Sequence, residues 1–155
     1  MSMRSLIEKL EKRPKTVDAF REDQKTEFVV AVRALFDQIE SWIPKDMKVL
    51  DVTRSELSLE EPDFGAYDVP VLEIRDRGTT VRLEPVGARV VGVVRSGGHR
   101  LIGLRGRVNL ICGPTNIPLV RDQKKEWKIV PMRGEPRALD EDNFAEILGA
   151  MLLDE

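Results

Sequence analysis

The sequence predicts an α+β domain: an antiparallel meander of about five to six strands, with a long N-terminal helix and a C-terminal helix packed on one face. Three observations lead there. Apolar residues recur at three- and four-residue steps from Val17 to Ile43. From Met47 to Met132 the chain turns to short β-branched runs separated by Gly, Pro and Asp. After Leu139 a helical spacing returns. Strands and helices do not alternate, so no βαβ unit forms, and connections this short force neighbouring strands to run antiparallel. At 155 residues the chain suits one domain (1–155), divided into a helical part (1–45), a sheet (47–132) and a closing helix (139–153).

The first element is a short helix. Ser5 and Glu8 have capping-box spacing, Leu6, Ile7 and Leu10 fall on one side, and Pro14 ends the run. The long helix follows, started by Thr16 or Asp18 and stopped by Pro44, with Phe20, Phe28, Val32, Leu35, Phe36, Ile39 and Trp42 on its apolar side. It would be about 40 Å long at 1.5 Å per residue. The polar run Arg21–Glu27 makes its first turns candidates to project or to meet a partner. Strands are expected at Lys48–Thr53, Glu56–Leu59, Val69–Arg75, Thr79–Glu84, Arg89–Arg95, Arg100–Arg105 and Trp127–Met132. Asp76-Arg77-Gly78 and Ser96-Gly97-Gly98 are hairpin turns. Glu60–Asp68 reads as a loop, and so does Cys112–Pro118, whose prolines argue against a central strand. The last helix opens on an aspartate cap and an acidic first turn, with Phe144, Ile147, Leu148, Met151 and Leu152 as its stripe. Trp42 and Trp127 fit core-facing positions.

Composition removes several function classes. One cysteine, Cys112, cannot form an internal disulfide, and one histidine, His99, cannot alone build a metal site. The N-terminal residues become charged within a few positions, unlike a signal peptide, and no apolar run has a membrane-spanning length. A reducing cytoplasmic location, with no membrane contact, is the expectation.

Charge is uneven. Residues 75–107 hold eight arginines, at 75, 77, 82, 89, 95, 100, 105 and 107, against Asp76 and Glu84, in a chain of net charge −2. Acids concentrate instead in 51–68 and 135–155. Strand alternation turns Val81 and Leu83 inward and Arg82 and Glu84 outward, and sets Ile102 and Leu104 against Arg105. These arginines either pair with the acidic blocks and solvate the uncovered sheet face, or bind an anion there. The absence of lysine among them favours defined hydrogen bonding to carboxylate or phosphate. Nucleic acid is disfavoured, because no Phe, Tyr or Trp lies between Asp68 and Glu126 to stack bases, and the sequence pI is about 5.6.

No catalytic constellation emerges. His99 belongs to a Gly-Gly turn, and Cys112 suits a small buried position. No glycine loop leads into a helix to cradle a phosphate, so no nucleotide or other small-molecule cofactor is indicated. Pro62-Asp63 followed by Glu73-Ile74-Arg75 resembles the PD-(D/E)xK arrangement of metal-dependent nucleases, but Arg75 is a poor proton donor where that family has lysine. Phe64 and Tyr67, in the acidic loop, either anchor a partner or close one end of the core. The expected function is a non-enzymatic protein-interaction module of adaptor, chaperone-like or neutralising kind, acting on another protein or on itself. Its candidate contacts are Arg82, Arg89, Arg105, Arg107, Phe64 and Tyr67. Polyanion binding through the arginines is the alternative, and a carboxylate-based hydrolase the third reading.

Overall fold

In the computed structural model, which describes residues 2–12, 17–62, 64–88, 94–96, 99–101, 105–131 and 133–153, helices α1 (Met3–Lys12) and α2 (Val17–Trp42) lead into strands β1 (Asp51–Glu61), β2 (Gly65–Asp76) and β3 (Thr79–Gly87). The short strands β4 (Val94–Ser96) and β5 (His99–Leu101) come next. They are followed by β6 (Gly106–Cys112), β7 (Thr115–Arg121), β8 (Trp127–Ile129), β9 (Arg137–Ala138) and helix α3 (Glu141–Leu152). The main sheet has seven strands in the order β1-β2-β3-β6-β7-β8-β9, all antiparallel, one or two more than expected. β4 and β5 pair antiparallel as a separate two-stranded unit with Ser96 opposite His99, and Gly97 and Gly98 of the expected turn lie outside the described residues.

α2 supplies Phe28, Val32, Leu35, Phe36 and Ile39 to the core, the spacing of one helical face. Opposite them stand Leu72, Ile74, Val81, Leu83, Val108, Leu110, Leu119 and Ile129, all fully buried. α3 completes the layer with Phe144, Leu148 and Met151. Asp140 caps it as expected, its carboxylate accepting from the Asn143 N–H at 2.8 Å. Trp42 meets Phe144 at 5.7 Å between ring centroids, and both tryptophans are half-buried against the core. Of the polar run expected to project or to meet a partner, its last residue, Glu27, is engaged within the chain, its carboxylate gripping β7 and the turn after it.

Three local expectations are corrected. α1 is capped not by Ser5 but by Ser2, whose Oγ accepts from the Ser5 N–H at 3.1 Å while its carbonyl accepts from Leu6 at 3.0 Å. The expected loop 60–68 shrinks to a turn, because β1 and β2 pair in unbroken register from Asp51 opposite Arg75 to Glu61 opposite Gly65. Cross-strand apolar pairs, Leu57 with Val69 and Leu59 with Tyr67, hold its outer half. The expected loop 112–118 is instead a hairpin, with Cys112 opposite Thr115 and Gly113 at φ 56° in the turn.

Of the prolines that argued against a strand there, Pro114 falls in the turn and Pro118 lies, like Pro70 and Pro85, at the end of a ladder. Asp76 and Thr79 close a tight hairpin, so alternate residues of β2 and β3 direct their backbone groups toward each other from that point. Pro70 and Pro85 both lie beyond Leu72 opposite Leu83, where that ladder ends. Pro118 points the same way toward β8, whose pairing with β7 begins only at Leu119, and its carbonyl accepts from Val130 at 2.9 Å. The rings of Pro70 and Pro85 therefore remove donors that no neighbouring strand would have used, and Pro118 costs the β7–β8 ladder one bond at its very end.

Gly106 has φ 154°, and a Cβ built there would lie 2.7 Å from two ring carbons of Phe28. The bare backbone lets α2 approach the sheet at this point.

Candidate interaction surfaces

The face away from the helices carries Arg82 and Arg107. Arg82 lies there beside Glu73 on β2 and Glu84 on its own strand, with Nη1 donating to Glu73 at 3.0 Å and Nε to Glu84 at 3.1 Å. Its charge is answered within the sheet. Arg107, on the neighbouring strand, donates through Nε to Asn109 at 2.8 Å and has no acidic partner among the described residues. Burial lowers its pKa below the usual guanidinium value. Arg105 is exposed just before β6, tied by its backbone N–H to the Arg121 carbonyl at 2.7 Å. Arg89 lies outside the described residues, as do Ile102 and Leu104, so the four arginines are brought together only in part.

Phe64 and Tyr67 turn out to close the outer end of the hairpin. Phe64 sits in its turn and is buried, its N–H bonding to the Glu61 carbonyl at 3.0 Å. Tyr67, half-buried on β2, donates its hydroxyl to the Glu61 carboxylate, which also accepts from the Ala88 N–H at 3.2 Å. Burial and the adjoining Glu61 carboxylate push the Tyr67 phenol above its usual range. The same carboxylate fills the space a side chain at Gly87 would need. Lys25 of α2 stands 6.0 Å from the Tyr67 ring centroid.

Four features escaped the sequence. Arg121, on the helix side of β7, is buried and bonds Glu27 at 3.0 Å, with Lys125 at 3.2 Å from the same carboxylate. Burial alone would raise the Glu27 pKa, but the hydrogen bonds and charges of Arg121 and Lys125 outweigh it and hold Glu27 below its ordinary value. Arg54 of β1 spans Glu40 and Asp37 of α2 at 2.9 and 2.6 Å and lies over Phe36. Finally, α1 contributes nothing to the core: Met3, Leu6, Ile7 and Leu10 are 70%, 37%, 47% and 45% exposed. A groove of ≈ 470 Å³ also opens between the end of α2 and the start of β1, lined by Ile43, Met47, Leu50 and Val52 among others.

Of the groups weighed for catalysis, the side chains of Cys112 and Glu73 are described. Cys112 is half-buried with Sγ 3.8 Å from the Met151 carbonyl, and Glu73 is engaged by Arg82. Asp63 lies outside the described residues. Among the described residues no group of three or more His, Cys, Asp or Glu is placed to hold a metal, and no helix is long and apolar enough to cross a membrane. Comparison with protein families, curated proteins and solved structures finds no match for the chain.

Proposed function

We propose that this chain is a protein-interaction module without catalytic activity, working in the cytoplasm, and that α1 is one of its contact elements. The observation that carries the reading is the stripe Met3, Leu6, Ile7 and Leu10, which stands clear of the core on a ten-residue helix. Helices shorter than about 12–15 residues are marginal in water unless an apolar face is covered. Seating such a side chain in a partner's groove contributes about 1.5–3 kcal/mol when burial is complete, and about half that for one already partly covered. An amphipathic helix laid into an apolar groove, on another protein or on a second copy, is the mode these residues suit. The test is the double variant Leu6→Asp/Leu10→Asp against the wild type. Sedimentation across concentration, and retention of a stoichiometric protein from the native cell extract, should both be compared. Association present in the wild type and lost in the variant, with the sheet's circular dichroism unchanged, is the expected result. Equal behaviour of the two chains overturns the reading.

A second reading, polyanion binding, draws support from Arg107, whose guanidinium faces no acid among the described residues, and from exposed Arg105. It requires retention on a phosphate-bearing polymer that falls steeply with salt. Arg82, held between two carboxylates, contributes little to it.

A further inference from the structure

We infer that β1 is a docking edge that accepts an extended, basic segment of a partner protein as an additional strand. The two ends of the sheet differ. β9, at one end, is the two-residue strand Arg137–Ala138, followed closely by α3 and tied to it by Arg137 to Glu146 at 3.2 Å. β1, at the other, runs 11 residues with no proline and no bulge in its register. Edges of that length are normally guarded by charged side chains, proline, bulges or a covering element, and on β1 the guard is charge alone, mostly acidic.

The direction of β1's backbone groups follows from the hairpin geometry already described. Asp76 faces β3, so Arg75 faces β1, and the alternation then carries through the register to Asp51, Thr53, Ser55, Leu57 and Leu59 facing β2. Val52, Arg54, Glu56, Ser58 and Glu60 therefore direct their N–H and C=O groups away from the sheet. No backbone group among the described residues bonds to them. Arg54, Glu56, Ser58 and Glu60 are exposed.

Charge selects the occupant. The exposed side chains along this edge include Asp51, Glu56 and Glu60, and its single cation, Arg54, is already held by Asp37 and Glu40. A second copy of β1 would bring acid toward acid, whereas lysine or arginine at alternate positions of an incoming strand meets complementary charge. Main-chain hydrogen bonds give such a strand its affinity and the alternate side chains its selectivity. The inference rests on the interaction-module reading and gives it a second surface, independent of α1.

The test uses the whole chain and two synthetic peptides as long as β1, one alternating lysine with valine and one alternating glutamate with valine. Fluorescence anisotropy reads affinity, and amide hydrogen exchange reads geometry. Binding of the lysine peptide should slow exchange at Glu56, Ser58 and Glu60 by at least about tenfold while leaving Ser55, Leu57 and Leu59 unchanged, since those already bond to β2. Ser58→Pro removes one outward N–H without touching the ladder to β2 and should weaken the lysine peptide about tenfold. Glu56→Lys/Glu60→Lys should abolish the preference over the glutamate peptide. Leu6→Asp/Leu10→Asp should bind as the wild type does, so that failure of the α1 reading is seen separately. The inference is overturned if the lysine peptide does not bind, or if the glutamate peptide binds as well. It is also overturned if the slowed amides do not alternate, or if they slow with protein concentration alone, which would make the occupant a second copy. The exchange pattern is read on the wild type, so the outcome stands even if Ser58→Pro fails to fold.

Discussion

Arg121 and Arg107 sit one strand apart and meet opposite circumstances. Arg121 lies buried under α2, and two neighbours organise its charge: Glu27 binds it and Lys125 shares that carboxylate. Arg107 lies on the uncovered face, half-buried, with an amide oxygen in place of a carboxylate. A guanidinium on the covered side must be matched within the protein, whereas on the open side solvent completes its hydrogen bonding. Counting arginines along the chain treats the two as equivalent. Their surroundings make one a structural clasp and the other a surface charge.

Breaking the clasp from its acidic side should have the largest effect. Glu27→Gln leaves Arg121 buried beside a neutral group, and a loss of about 2 kcal/mol is expected, below the 3–5 kcal/mol of a fully buried pair because Glu27 is partly exposed. For a chain of this size that is a fall of about 4–8 °C in Tm by calorimetry. The effect should depend on pH. The folded-state pKa of Glu27 is depressed below its ordinary value of 4.5, so its contribution is complete above that pH and is lost as pH falls through the lower folded value. The stability gap between wild type and Glu27→Gln should be full at neutral pH and close under acid conditions. A gap that is constant with pH would show that the carboxylate's charge is not what matters.

Arg121→Met should cost less, about 1 kcal/mol, because it leaves Glu27 with Lys125 and some water rather than a stranded buried charge. Equal costs for the two substitutions would break the proposed asymmetry. The smallest effects belong to the open face. Arg82→Met should cost about 0.5 kcal/mol by leaving Glu73 and Glu84 facing each other, while Arg107→Met should fall within about 0.5 kcal/mol of wild type in denaturant titrations. A larger loss at Arg107 than at Arg82 would reverse the assignment of the two.

What could be read from the sequence was what local pattern determines. The core side of α2, the Asp140 cap of α3 and the inward and outward alternation of Val81, Arg82, Leu83 and Glu84 each follow from a residue's near neighbours. The outer half of the first hairpin did not, because Glu60, Glu61 and Gly65–Asp68 become strand only through pairing across the turn, and an acidic, proline-bearing run has little intrinsic β preference. Pro118 misled for a related reason: whether a missing donor matters depends on where the neighbouring strand begins. On the surface, the arginine cluster was visible as a charge count, but the cross-strand carboxylate that neutralises Arg82 was not. Arg121 left one usable signal, a charged residue in phase with Ile117 and Leu119 on the buried side of its strand.

The close seat of Phe28 on Gly106 bears on how this protein could be re-engineered. Because the ring rests on naked main chain, the height of the helix over the sheet is set closely at this point. A grafted helix would inherit its correct height only if the recipient strand kept a glycine there and the graft an aromatic side chain at the matching turn.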